Sequence, residues 1–237
     1  MRYWEIDFLR GIAIMMMIIF HAVFDMNYFS SYRIDIQSGF WWFFARITAS
    51  IFIFLVGVSL TLSYSRAIKE RKDLLMKYLY RGLKIFSWGL IITLITWVFF
   101  REGFIIFGIL HFIGIAIILA YPFIRHRFLN PFFGILFISL GIYLTGLIFD
   151  FPWLIWLGFM PQNFYTFDYF PILPWFGLVL LGLFFGNLFY PEGRRRINIK
   201  EISNPLTKLF CFLGRHSLLI YLIHQPVLIA LLYIFIL

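Results

Sequence analysis

The sequence predicts an all-α integral membrane protein: a bundle of seven transmembrane helices, with its N-terminus in the cytoplasm and its C-terminus outside. Three observations carry this. Hydrophobic residues make up 62% of the 237-residue chain and charged residues 13%, against about half and about a quarter in soluble domains. Seven apolar stretches approach the roughly 20 residues that cross a hydrocarbon core of about 30 Å. The basic residues segregate by loop, as they do when helices insert with their cationic ends in the cytoplasm. A membrane β-barrel would instead show short alternating strands, and the sequence has none of that pattern.

The predicted spans are Phe8–Tyr28, Phe40–Tyr64, Leu79–Phe100, Phe104–Phe123, Phe132–Phe149, Ile172–Tyr190 and Leu218–Leu237. The fifth and sixth are only just long enough. With the N-terminus inside, the inner side receives Arg2, Arg10, Arg66, Lys69, Arg71, Lys72, Lys77, Arg81, Lys84, Arg125, Arg127, Arg194, Arg195, Arg196, Lys200, Lys208 and Arg215. These are 17 of the 20 Lys and Arg, and only Arg33, Arg46 and Arg101 fall outside. The net charge of +9 therefore reads as topology plus attraction to anionic membrane lipids, not as nucleic-acid binding.

Between the spans, Arg101-Glu102-Gly103 makes a tight outer hairpin. Asp150–Phe170 carries Pro152, Trp153, Trp156, Pro161, Tyr165 and Asp168 and no basic residue; it suits an interfacial lid, a substrate-facing loop or, equally, a plain connector. Asn204–Leu213 reads as a short interfacial helix leading into the last span. No repeat and no soluble domain interrupts the chain, so 1–237 is expected to be a single transmembrane domain of a multi-pass cell-membrane protein. Exposed Phe-rich faces are compatible with a homodimer. The first apolar run is too long for a cleavable signal peptide, and Asp25 and Asn27 stand where small residues would be wanted. The single Cys211 can form no internal disulfide, and no set of residues suggests a metal.

The first span is unusual. On a helix at 100° per residue, Asp7, Arg10, His21 and Asp25 fall within an arc of about 60°. Arg10 and His21 lie roughly 16 Å apart along the axis, and His21 and Asp25 form an i, i+4 pair. Polar residues inside a span are costly and usually face a partner or an aqueous cavity. The stripe is therefore a candidate site, although His21 alone equally suits a hydrogen bond to a neighbouring helix. Counting depth along each span places Arg46 and His111 level with His21 in the outer half, with Asp25 and Arg46 neutralising each other. His111 also suits a bond across the close helix contact that Gly108 and Gly114 allow. Counting places His224 in the inner half, and Arg10, Arg215 and His216 at the inner face. No P-loop, GxSxG or HExxH motif is present.

Several stretches resemble a known family. Trp4-Glu-Ile-Asp-Phe-Leu-Arg-Gly-Ile-Ala13, followed by Phe20-His21 and Phe24-Asp25, is similar to the opening of the catalytic domain of heparan-α-glucosaminide N-acetyltransferase and its small prokaryotic relatives. Ile106–Gly114, Leu173-Pro-Trp-Phe-Gly177 and Leu213–Pro226 resemble its later segments, so the likeness covers nearly the whole chain. Separately, Arg10, ten residues and then His21 match the Arg-x10-His pattern of the membrane acyltransferase-3 family. The animal enzyme is longer and has more spans, and its proposed active histidine lies in the outward-facing stretch after its first helix. Here no His occurs between His21 and His111, so the role of His21 rests on the Arg-x10-His pattern and on the stripe.

The resemblance implies transfer of an acetyl group from cytoplasmic acetyl-CoA to an amine or hydroxyl of an extracytoplasmic sugar or glycolipid. Arg10 and Arg215, with His216 and His224, are expected to hold the CoA, since arginine suits phosphate. His21 is expected to take the acceptor's proton, with Asp25 orienting its ring, or to carry the acetyl group itself. Arg46 and His111 are expected on the acceptor side, and no metal is expected. Two other classes stay open: a small proton-coupled transporter or permease using the Asp and His residues as a relay, and a non-catalytic seven-span protein. A transporter would show broken helices or inverted halves, and the sequence shows no internal symmetry.

Overall fold

The computed structural model describes residues 3–30, 33–69, 73–200 and 202–235. Arg2, Arg71 and Lys72, counted above among the inner basic residues, lie outside the described residues, as do the last two positions of the seventh predicted span. The described residues form eight α-helices: α1 (Trp4–Phe29), α2 (Gly39–Lys69), α3 (Leu74–Phe99), α4 (Ile109–Leu119), α5 (Leu129–Thr145), α6 (Ile172–Phe189), α7 (Pro205–Arg215) and α8 (Ser217–Phe235). No named strand occurs among them; Phe107 with Tyr169 and Phe149 with Pro161 make isolated bridges.

Among the described residues, five helices are long and apolar enough to cross a membrane: α1, α2, α3, α6 and α8. Two predicted spans are shorter. Phe104–Phe123 contributes only the 11-residue α4, about 16 Å of helix. Phe104–Phe107 pairs with the segment before α6 instead of entering the helix, and Pro122 in a 3-10 turn ends it. Phe132–Phe149 becomes the 17-residue α5, shifted toward Asn130-Pro131 and ended at Gly146. The fold is thus an all-helical membrane protein with five candidate spans, rather than a seven-span bundle running from a cytoplasmic N-terminus to an external C-terminus. Apolarity alone could not separate a full span from a shorter helix flanked by apolar loop.

The chain divides into two compact units, Met1–Phe52 with Ile199–Leu237, and Ile53–Asn198. In the first, α1 packs on α7 and α8. Asn204 caps α7, its side chain accepting from the Thr207 N–H at 2.7 Å, and Pro205 at the first position costs no donor. In the second, α3 pairs with α4 and α5 with α6. Gly82 against Gly114, and Gly177 against Gly134, leave no room for a Cβ on Gly82, Gly114 or Gly177, which sets both pairs at backbone contact. The exposed face of α3 carries Leu90, Leu94, Ile95 and Val98, a surface that water penalises and lipid does not.

The start of α4 is held from a distance. The Ile109 N–H donates to Asp168 Oδ2 at 2.9 Å, and Gly108 N–H donates to Nδ1 of His111 at 3.3 Å. Two of the donors that a helix start leaves open are thereby met. The Asp150–Phe170 segment is tied to the same place, with Phe167 N–H on Gly103 O at 2.8 Å and Phe170 N–H on Phe107 O at 3.0 Å. It is neither a loose lid nor a bare connector.

Removing the cap, by Asp168→Ala, should cost about 0.5–2 kcal/mol, read as a lower melting temperature in detergent, while Asp168→Asn should keep most of it. Burial pushes the Asp168 carboxyl up from 3.8 to about 6, against the pull of the Ile109 N–H. The folded state therefore holds this proton more tightly than the unfolded chain, and wild-type stability should fall as pH rises from about 4 through about 6. That component should be missing from Asp168→Asn; an unchanged pH slope in that variant would remove Asp168 as its source.

Candidate functional site

The site is built on α1. At one end, Gly11 faces the backbone of α7: a Cβ there would overlap the Phe210 carbonyl, and a Cβ on Gly214 would overlap the Asp7 carbonyl. The two helices touch main chain to main chain, and each glycine adjoins an arginine, Arg10 and Arg215. Asp7, almost fully buried, lies between them. Its Oδ1 accepts from Arg10 at 3.2 Å, and its Oδ2 pairs with Arg215 Nε at 3.6 Å. One carboxylate thus joins two guanidiniums, and Arg215 is half exposed. His216 is exposed next to it, its Nδ1 on the Phe212 carbonyl at 2.9 Å and its ring against Phe212. Cationic donors at one helix-packed corner can hold an anionic group such as phosphate.

Further along α1 the polar group is of another kind. The His21 ring meets the His224 ring of α8 edge-on, 4.9 Å between centroids, and Phe20 and Phe24 flank it. Asp25, 1% exposed, accepts from Gln225 Nε2 through Oδ1 at 2.6 Å. His224, also buried, places Nδ1 2.6 Å from the Tyr221 carbonyl. Since a carbonyl only accepts, Nδ1 carries the proton and Nε2 the lone pair. Asp25 Oδ2, Gln225 Oε1 and His224 Nε2 are buried with no hydrogen-bond partner among the described residues. Buried polar atoms are rarely left open, and such a cluster is where a ligand's donors fit. Pro226 follows directly; lacking an N–H, it leaves the Leu222 carbonyl without its helical donor.

The structure thus sets His21 against His224 and ties Asp25 to the adjacent Gln225, and separately joins Arg10 and Arg215 through Asp7, with His216 next to Arg215 in sequence. Depth counting had placed His224 at the inner level; the structure places it against His21. Asp25 is held by Gln225 and not by Arg46, whose guanidinium lies over the Trp42 ring at 4.3 Å. Trp42 stands four residues before Arg46 on the same helix face and captures it by cation–π attraction. His111, in the second unit, is buried, with Nδ1 accepting from Gly108 and Nε2 3.3 Å from Thr93 Oγ1. Both its nitrogens are engaged inside that unit. Gln225 was missed from sequence, although an amide in an apolar run beside a histidine was a readable signal. No group of three or more potential metal ligands occurs among the described residues.

A family model described as heparan-alpha-glucosaminide N-acetyltransferase, catalytic, matches residues 2–226 of the chain. No curated protein and no solved structure matches it.

The backbone contact of α1 with α7 is open to a direct test. Gly214→Ala should force the helices apart, costing about 1–3 kcal/mol and separating Arg215 from Asp7. The expected result is a lower melting temperature in detergent, with Leu219→Ala on the exposed side of α8 as the mild comparison. Equal melting of Gly214→Ala and wild type would show that the contact is not tight.

Proposed function

The chain belongs to the heparan-α-glucosaminide N-acetyltransferase catalytic-domain family, and from that premise we propose that it is a cell-membrane acetyltransferase. It moves an acetyl group from cytoplasmic acetyl-CoA to an amine or hydroxyl of an extracytoplasmic sugar or glycolipid. The observation that carries this reading is the pairing of two unlike sites on one helix. A cationic corner at Asp7, Arg10 and Arg215 suits the CoA phosphates. His21, roughly 16 Å from Arg10 along α1, with the buried Asp25 one turn on, suits acyl chemistry. The matched residues 2–226 span both units and are read as one catalytic domain.

The donor binds with its phosphates on Arg10, Arg215 and His216, and its pantetheine arm runs along α1 to bring the thioester to His21. The carbon–sulfur bond breaks and CoA leaves as the thiol. A carbon–nitrogen or carbon–oxygen bond forms to the acceptor, which gives up one proton. His21 serves as the base for that proton, or its ring nitrogen receives the acetyl group and passes it on. Asp25 stabilises the imidazolium in either route.

Two experiments test the reading. Purified protein in liposomes, given acetyl-labelled acetyl-CoA outside and glucosamine inside, should move label to the sugar. Arg10→Ala should weaken acetyl-CoA binding about ten- to a hundredfold, in line with about 1.5–3 kcal/mol for a charge-assisted contact, and Arg10→Lys should restore only part of it. His21→Ala should lower turnover about 10²- to 10⁴-fold while CoA binding persists. No CoA binding by the wild type, or full activity of His21→Ala, would overturn the proposal.

A further inference from the structure

His224 has a feature that the reaction as described does not use. Its Nδ1 proton is fixed on the Tyr221 carbonyl at 2.6 Å, so the fold itself chooses the tautomer and points the lone pair out through Nε2. That nitrogen is buried with no partner among the described residues. An acceptor-held Nδ1–H and an open Nε2 are what a general base requires, because the ring gains a proton without turning. His21 stands beside it at 4.9 Å between ring centroids. The titratable groups that face His224 are His21 from α1, Tyr221 on its own helix and, through the neighbouring Gln225, Asp25.

We infer that His224 is the proton acceptor of the acceptor-side step, and that His21 is the ring that carries the acetyl group. The inference rests on the acetyltransferase reading and goes beyond it by dividing the labour between two histidines. In the first half-reaction a His21 nitrogen attacks the thioester carbonyl. The carbon–sulfur bond breaks, a carbon–nitrogen bond forms, and the His21 proton leaves with the CoA thiolate as the thiol. In the second, the acceptor amine or hydroxyl attacks the acetyl carbon and loses its proton to His224 Nε2. The bond to His21 breaks, and His224 returns the proton to the departing His21 nitrogen. Both rings end neutral, His21 with its proton on the nitrogen that carried the acetyl group. The open Oδ2 of Asp25 and Oε1 of Gln225 offer acceptors for the remaining donors of the incoming group.

The test uses the whole chain in liposomes, with labelled acetyl-CoA and two nitrogen acceptors. Glucosamine needs a base, because its amine is largely protonated near neutral pH. Hydroxylamine is neutral there and attacks an acyl-imidazole unaided. In His224→Gln the amide fills the place of the ring but takes no proton. This variant should release one CoA per protein in a burst, hold label on the protein, and transfer to glucosamine about 10²- to 10⁴-fold more slowly. Its transfer to hydroxylamine should stay near the wild-type rate, and the rise of glucosamine transfer with pH that depends on the base should disappear. His21→Ala should show no burst and no label on the protein.

Wild-type transfer to glucosamine by His224→Gln would overturn the inference. So would a parallel loss with both acceptors, since that is what a purely structural role predicts, and so would the absence of protein-bound label in a variant that still binds CoA. A wild-type protein that neither binds acetyl-CoA nor releases CoA would instead sink the acetyltransferase reading itself.

Discussion

The contact on which the first unit depends is main chain against main chain. Where α1 crosses α7, Gly11 and Gly214 leave no side chain between the helices, and each carbonyl sits where a Cβ would otherwise be. Close approach of this kind gains dispersion contact along both backbones. It also has an electrostatic result. Arg10 and Arg215, each next to one of these glycines, are brought to the same buried carboxylate, Asp7. Burying one carboxylate alone would be costly; burying it between two guanidiniums is tolerable. The Asp-x-x-Arg-Gly stretch of the first helix and the Gly-Arg-His stretch of the seventh are thus two halves of one piece of packing.

Much of this was legible in the sequence. The polar stripe of α1 follows from helical periodicity alone, and three of its members, Asp7, Arg10 and Asp25, have their partners inside the first unit. The short amphipathic α7 was legible from Asn204-Pro205 and the charges around it. What counting could not deliver was register between helices. Rising 1.5 Å per residue, Asp7 to His21 covers about 21 Å and Arg215 to His224 about 14 Å, so the two histidines seemed to belong to different depths. Helix tilt and the reach of an arginine side chain lie outside such a count, and together they are large enough to close the gap.

The same limit explains the span count. Phe104–Phe107 is as apolar as any helix in the chain, yet it pairs with the segment before α6 and leaves the helix to begin at Ile109. Hydropathy measures where a segment can reside and says little about its backbone shape. His111 shows the converse. An ionisable ring deep in an apolar helix looked like a site residue, but Gly108 N–H and Thr93 Oγ1 occupy its two nitrogens. What separates it from His224 is an open ring nitrogen, a matter of packing and not of sequence.

The cap on α4 has a consequence for how the chain is made. The N–H of Ile109 waits for Asp168, 59 residues later in the chain. During synthesis at roughly 5–20 residues per second, α4 leaves the ribosome seconds before the carboxylate that completes its first turn. An 11-residue helix is marginal alone. The order of assembly in the second unit is therefore written into its connectivity: α5 and the aromatic segment after it must be laid down before α4 is secured, and translation pauses within that interval would prolong an unfinished state.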